Sequence, residues 1–231
     1  MPTIYAATTD RDINSGIQSS WSGARDASTG TLGGSASDSS EGFAAGALAF
    51  SGRGSTTYKV NRSFFHFDTS GITGTVSSAT LKIYFLTDVN DGNVIIIKSD
   101  AFTGGSNALV ADDFNNLDFS TPYSGEVDTT TAGLTNITLN ATALTDIKNN
   151  NDFKFAVVNF DYDYGGGSGT APSTSNYVGL RFADYSGTSS DPQIDYTLQT
   201  GYANNVIGIS SANIGKVNGV ATANIEKVIG V

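Results

Sequence analysis

A chain of 231 residues is long enough to close a sizeable hydrophobic core, and with no cysteine it does so without disulfides or thiolate metal sites. The formal net charge is −10, and because residues 201–231 hold only Lys216, Lys227 and Glu226, residues 1–200 carry −11 and should repel nucleic acid and anionic membrane alike. Charged residues are only 15% of the chain against 27 glycines, so the polar surface must be built largely of Ser, Thr, Asn and Gly, as in exposed β proteins. No stretch approaches the roughly 20 apolar residues of a membrane helix. Residues 1–20 have neither the basic nor the apolar region of an export signal, so signal-dependent export is not expected.

In chain order, residues 14–42 are rich in Ser and Gly and read as irregular, with Trp21 inside. Residues 58–68 read as a strand with Val60, Arg62, Phe64, His66 and Asp68 on one face and Ser63, Phe65 and Phe67 on the other. Residues 79–86 alternate more cleanly, with Leu81, Ile83 and Phe85 against Thr80, Lys82 and Tyr84. A continuous apolar strand follows at Val94–Ile97, and the intervening Asp91-Gly92 predicts a tight hairpin turn. A weaker strand is expected over 136–139, and a two-turn helix over 141–149, capped by Asn140 and ended by Asn149-Asn150-Asn151. Further strands read at 153–160, 177–183 and 193–198, and residues 161–176 form a second irregular stretch. Many short strands, one short helix and no βαβ alternation predict an all-β fold, an antiparallel two-sheet jelly-roll sandwich over residues 1–200.

Residues 201–231 form a separate tail. Val206-Ile-Gly-Ile-Ser-Ser-Ala-Asn-Ile-Gly-Lys216 is followed by Val217-Asn-Gly-Val-Ala-Thr-Ala-Asn-Ile-Glu-Lys227, and a third copy starts at Val228. Six of eleven positions are identical, and the others are mostly swaps of similar size, so apolar spacing rather than a reactive group defines the unit. Val206, Ile209, Ile214, Val217, Val220, Ile225 and Val228 are the candidate attachment residues. An eleven-residue period fits one helical stripe, whereas Gly208, Gly219 and the β-branched residues favour short turns or added strands. In either conformation the tail alone cannot bury its apolar side.

Four segments carry a resemblance. Arg62-Ser-Phe-Phe-His-Phe-Asp-Thr-Ser70 followed by Ser77-Ser-Ala-Thr-Leu-Lys-Ile-Tyr84 resembles the DNRLRE-type jelly-roll modules, as do Trp21-Ser-Gly-Ala-Arg-Asp-Ala-Ser-Thr-Gly30, Leu139-Asn-Ala-Thr-Ala-Leu144 and Asp184 through Asp191-Pro-Gln-Ile-Asp-Tyr196. The resemblance spans roughly residues 3 to 198, departing at His66 and in the Gly165-Gly-Gly loop. It implies the sandwich, and a setting among bacterial surface proteins, carbohydrate-active proteins or tailed-phage virions. The Ala-Asn-Ile-x-Lys-Val-x-Gly-Val units resemble carboxyl-terminal repeats of phage appendage and virion proteins.

Chemistry-bearing residues are few. His66 and Asp68 share a strand face, but no nucleophile elbow accompanies them, and a structural histidine among aromatics is the expectation. The pairs Asp161/Asp163 and Asp112/Asp113 read as solvated loop carboxylates rather than a glycosidase pair. Asp88, Asn90, Asp91 and Asn93 fail the calcium-loop pattern, so a plain turn is expected and no metal or cofactor. Trp21, Tyr162, Tyr164 and Tyr177, beside Asp161, Asp163 and Asn176, offer flat rings and polar groups of the kind that bind sugars, or else anchor loops on the rim. The expectation is therefore a non-enzymatic virion structural protein of a tailed bacteriophage, a capsid decoration or appendage subunit. It would be held to capsid or tail proteins by its repeats, homo-oligomeric, and at the virion surface, extracellular after lysis. The alternative is a carbohydrate-binding or adhesive module that engages surface glycans. Nucleic acid and membrane are not expected partners.

Overall fold

The computed structural model describes residues 1–33, 40–165, 170–183, 186–199, 216–217 and 220–221. Its strands are β1 (Thr3–Tyr5), β2 (Arg11–Asn14), β3 (Thr31–Leu32), β4 (Ser40–Ser51), β5 (Thr56–Asp68), β6 (Val76–Val89), β7 (Val94–Ser99), β8 (Leu117–Pro122), β9 (Gly133–Thr138), β10 (Asp152–Asn159), β11 (Asn176–Arg181) and β12 (Gln193–Leu198). Two helices interrupt them, α1 (Trp21–Arg25) and α2 (Ala141–Asn149), along with a 3-10 turn at Ala111–Asn115 and a π-type turn at Phe160–Tyr164. The fold is all-β, antiparallel and sandwich-like.

Neighbouring strands run in the order β1-β12-β6-β11-β4-β5-β10-β7-β8, with β9 also on β6 and β2 also on β5. Two long strands change partners part-way. The first half of β6 pairs with β12 through residues 76–82 and its second half with β11 through residues 85–89, while β9 occupies the opposite edge. In the same way β5 pairs first with β4 and then with β10, with β2 opposite.

Buried side chains fall into two clusters, which explains why both faces of β5 are aromatic. Phe65 and Phe67 join Phe155, Val94 and Ile96 in a core shared with Leu81, Ile83 and Phe85 of β6. Val60 and Phe64 join Ile95, Ile97, Ala156 and Val158 in a second core, closed by Trp21 and Ala24 of α1 and by Phe102, Leu109 and Phe114. The sheet formed by β5, β10 and β7 is thus covered on both sides. In β4 this two-sided packing demands small residues: Ala44, Ala45 and Ala47 are buried, and a Cβ on Gly46 would collide with the Tyr177 side chain.

The expected strands and α2 are present, with boundaries within a few residues. Asn140 caps α2 by accepting from Ala143 N at 3.1 Å, and Ala143 and Ile147 are buried, with Leu144 half-buried beside them. The turn at 90–93 is tight but does not close a hairpin. The edges of β6 are taken by β9, β11 and β12 and those of β7 by β8 and β10, so this connection crosses between layers. Positive φ falls on Asn90 and Asp91, at 58° and 54°. Gly92 is needed instead for clearance, because a Cβ there would meet the Tyr177 carbonyl.

Residues 14–42, read as irregular, contain α1, β3 and the start of β4. In the tail, Lys216–Val217 (β13) pairs antiparallel with Val220–Ala221 (β14). Val206, Ile209, Ile214, Ile225 and Val228 lie outside the described residues.

The first strand is held to the sheet by charge as well as by its ladder. Asp195 of β12 meets Lys82 Nζ at 2.6 Å and accepts from Thr3 Oγ1 at 2.5 Å, contacts that hold its carboxyl below the usual range. A carboxylate with a lowered folded-state pKa contributes stability that is complete above its unfolded value of about 3.9 and is lost as pH falls through the folded value. Thermal melts across the acid range should show Asp195→Asn less stable than the wild type near neutrality and indistinguishable from it in strong acid.

Candidate functional site

The most concentrated polar site lies within the second core. Arg62 projects from β5 between Val60 and Phe64 and is fully buried. A guanidinium without water is tolerable only when its donors are met. Its Nε and Nη2 form a fork on Asp163, at 2.8 Å to Oδ2 and 2.8 Å to Oδ1. Nη1 donates to Phe114 O at 2.9 Å and Nη2 also to Arg25 O at 2.8 Å, and the guanidinium carbon lies 4.2 Å from the Phe114 ring centroid. Four of the five N–H groups are used.

Asp163 reaches this position because the π-type turn, one residue wider per turn than an α-helix, follows β10 directly. Asn159 starts the turn by accepting from Tyr162 N at 2.9 Å, and Arg25 Nε holds the Asp163 carbonyl at 3.2 Å. Asp113 is organised comparably. It is fully buried, and its oxygens accept from Phe102 N, Thr103 N, Val110 N, Thr103 Oγ1 and Asn116 Nδ2 at 2.8–3.3 Å, holding Phe102 at a φ of 65°. The reading of both aspartate pairs as solvated is therefore corrected for one member of each: Asp161 and Asp112 are exposed, whereas Asp163 and Asp113 are internal ties.

The candidate sugar-binding residues are partly brought together. Trp21 stands edge-on to Tyr162 at 6.5 Å and to Tyr58 at 6.1 Å, but it is only 5% exposed and serves as core. Asp163 has both oxygens committed to Arg62 and offers nothing to a ligand. Tyr164 stacks on Phe160 at 5.9 Å, and both Tyr162 and Tyr164 are half-buried. Beside them, partial burial followed by the charges of Glu126 and Asp91 pushes the Asp161 carboxyl up. Tyr177 lies elsewhere, on β11, against Phe43 at 4.6 Å.

His66 does not pair with Asp68. Its Nε2 lies 2.8 Å from Asp152 Oδ1 on the adjoining strand, while Asp68 accepts from the Ser70 backbone and hydroxyl, which lower its pKa. Asp152 lines a polar cleft of about 480 Å³ with Lys98, Asp100, Tyr123 and Lys154, at the ends of β7 and β10. Lys98 Nζ binds Asp146 Oδ2 at 3.0 Å, and Tyr123 OH donates to the same oxygen at 2.5 Å. Burial, and then Asp146, drives the Tyr123 phenol far above its ordinary value, so it remains a donor. On the wall of the cleft, the Ser99 hydroxyl donates to Asn116 O at 2.8 Å. No sequence period links these positions, since the cleft arises from strand ends and a helix terminus.

The turn considered for calcium is held by protein contacts: Asn90 Nδ2 donates to Ser175 O at 2.7 Å and Asn93 Nδ2 to Glu126 Oε1 at 2.8 Å. Among the described residues no group of three or more His, Cys, Asp or Glu side chains is placed to hold a metal, and no helix is long and apolar enough to cross a membrane. No family model matches the chain, and no curated protein matches it.

Removing one partner of a buried ion pair strands the other charge. Arg62→Met should cost about 3–5 kcal/mol in urea unfolding, and Arg62→Met with Asp163→Leu should recover most of that loss. An Arg62→Met protein within about 1 kcal/mol of the wild type would contradict this account of the site.

Proposed function

We propose that the protein is a non-enzymatic structural subunit of a tailed-phage virion, a capsid decoration or appendage protein. Its body, of jelly-roll type, is displayed outward, and its carboxyl-terminal repeats attach it to capsid or tail proteins in multiple copies. The observation that carries this reading is the eleven-residue apolar repeat. It follows a body whose buried clusters, among the described residues, draw their members from Ala6 to Ile194. The long, partner-changing strands β5 and β6 support a jelly roll. Support also comes from the meeting of two segments that carry the family resemblance, since Arg62 donates to the carbonyl of Arg25. Asp163, Asp113 and His66, catalytic candidates raised from the sequence, have internal partners.

Deleting residues 201–231 should leave a folded, soluble body that no longer co-sediments with assembled particles. Unchanged incorporation into particles would overturn the proposal.

A glycan-binding or adhesive role is the second reading, favoured by the half-buried Tyr162 and Tyr164 beside exposed Asp161. Because Trp21 is core, Trp21→Ala would report stability, and Tyr164→Ala is the informative variant. Under the leading proposal a glycan array shows no signal that depends on Tyr164. Wild-type binding abolished by Tyr164→Ala would establish the second reading in its place.

A further inference from the structure

Strand β9 pairs on one side only, with β6. Leu139 N donates to Ala79 O at 3.1 Å, so by the alternation of an antiparallel ladder the residues of β9 that bond to β6 are Ile137, Thr135 and Gly133, opposite Leu81, Ile83 and Phe85. The N–H and C=O groups of Leu134, Asn136 and Thr138 therefore point away from β6, and among the described residues no backbone group pairs with them. All three residues are exposed. Protein edges of this kind are commonly blunted by a lysine, a proline or a bulge. This strand has none of the three: its register on β6 is unbroken, and residues 129–145 hold no charge and no proline.

Open N–H and C=O groups repeating at every second residue match one ligand chemistry, the backbone of another extended chain, and a strand of about five residues would meet all of them. Charge decides which chain. One wall of a groove of about 320 Å³ is β9, and the other is residues 124–128. That second wall turns the Val127 backbone to Val94 and carries Glu126 and Asp128, both exposed. Asp128 accepts from Thr130 N at 2.8 Å and Thr130 Oγ1 at 2.7 Å, bonds that hold its carboxyl below the ordinary value and keep it ionised. Lys82, opposite Asn136 on β6, is already matched to Asp195 at 2.6 Å. A second copy would bring its own Glu126 and Asp128 to the same seam, like charge against like, with a body of −11 behind them. A strand with lysine or arginine at alternate positions instead sets its cations along the acidic wall.

We propose that the free edge of β9 is a strand-addition site for an extended, basic segment of another protein, whose backbone continues the sheet while its cations face Glu126 and Asp128. This inference does not depend on what the carboxyl-terminal repeats bind.

Residue-resolved hydrogen exchange on the full chain tests it, with a short, acetylated and amidated peptide alternating lysine and valine as the probe. With the peptide in large excess, the amides of Leu134, Asn136 and Thr138 should exchange about tenfold more slowly, while those of Thr135 and Ile137, already bonded to β6, stay as they are. The same peptide N-methylated throughout keeps its charge, loses its strand donors and should give no protection. Asn136→Pro removes an outward N–H without touching the ladder to β6 and should abolish binding. If that variant does not fold, Glu126→Gln with Asp128→Asn leaves the edge intact and should weaken binding about tenfold. No slowing by the lysine–valine peptide overturns the proposal, as does equal binding by its N-methylated or glutamate–valine counterpart. Protection of Leu134, Asn136 and Thr138 in the protein alone also overturns it, assigning the edge to a neighbouring copy where the protection falls on dilution and to the chain's own end where it does not.

Discussion

A single buried cation ties together four segments that meet around the second hydrophobic core. Arg62 is on a central strand, yet its hydrogen bonds end on α1, on the 3-10 turn at Phe114 and on the π-type turn at Asp163. Each of those segments is too short to be stable alone. A five-residue helix has barely one turn to offset its nucleation cost. What holds them is the penalty for leaving a guanidinium unsatisfied away from water, a penalty that grows with burial and is therefore greatest here. The arrangement gives geometric specificity more than net stability, since the fork on Asp163 accepts one orientation only.

This constraint produces the third layer of the molecule. A two-sided sheet needs cover on its outer face, and here the cover is made of loops and single turns rather than a further sheet. Asp113 performs a similar task in that layer, gathering three backbone N–H groups and two side-chain donors from residues 102–116. Buried carboxylates thus replace the hydrogen-bond ladder that a regular element would have supplied.

Sequence periodicity revealed the parts of the fold that depend on local alternation. Strands β6 and β12 and the capped helix α2 carry one dominant period, β7 and β10 carry apolar runs, and all sit close to their expected positions. It did not reveal β4, whose Ala and Gly residues have low strand propensity and are there because two layers press on them, nor α1, which is too short to show a period. The aspartates misled for a related reason. Asp161 and Asp163 look alike in a Gly-rich loop, and only the turn after β10 and the distant Arg62 send one outward and the other into the core. The aromatic set at Trp21, Tyr162 and Tyr164 was visible as a set, but whether a ring is wall or platform depends on burial that no local pattern encodes.

The division of charge between body and tail bears on how copies of the chain would meet. Residues 1–200 carry −11, while several of their cations, including Arg62, Lys82 and Lys98, are already matched to carboxylates. Two bodies approaching one another therefore repel, over a range of about 8 Å at physiological salt. An apolar segment is attracted to its site by a different force, about 25 cal/mol for each Å² removed from water, and added salt does not weaken it. Under the proposed function the two effects cooperate: repulsion keeps the bodies apart on the surface they decorate, and the repeats decide where each is held.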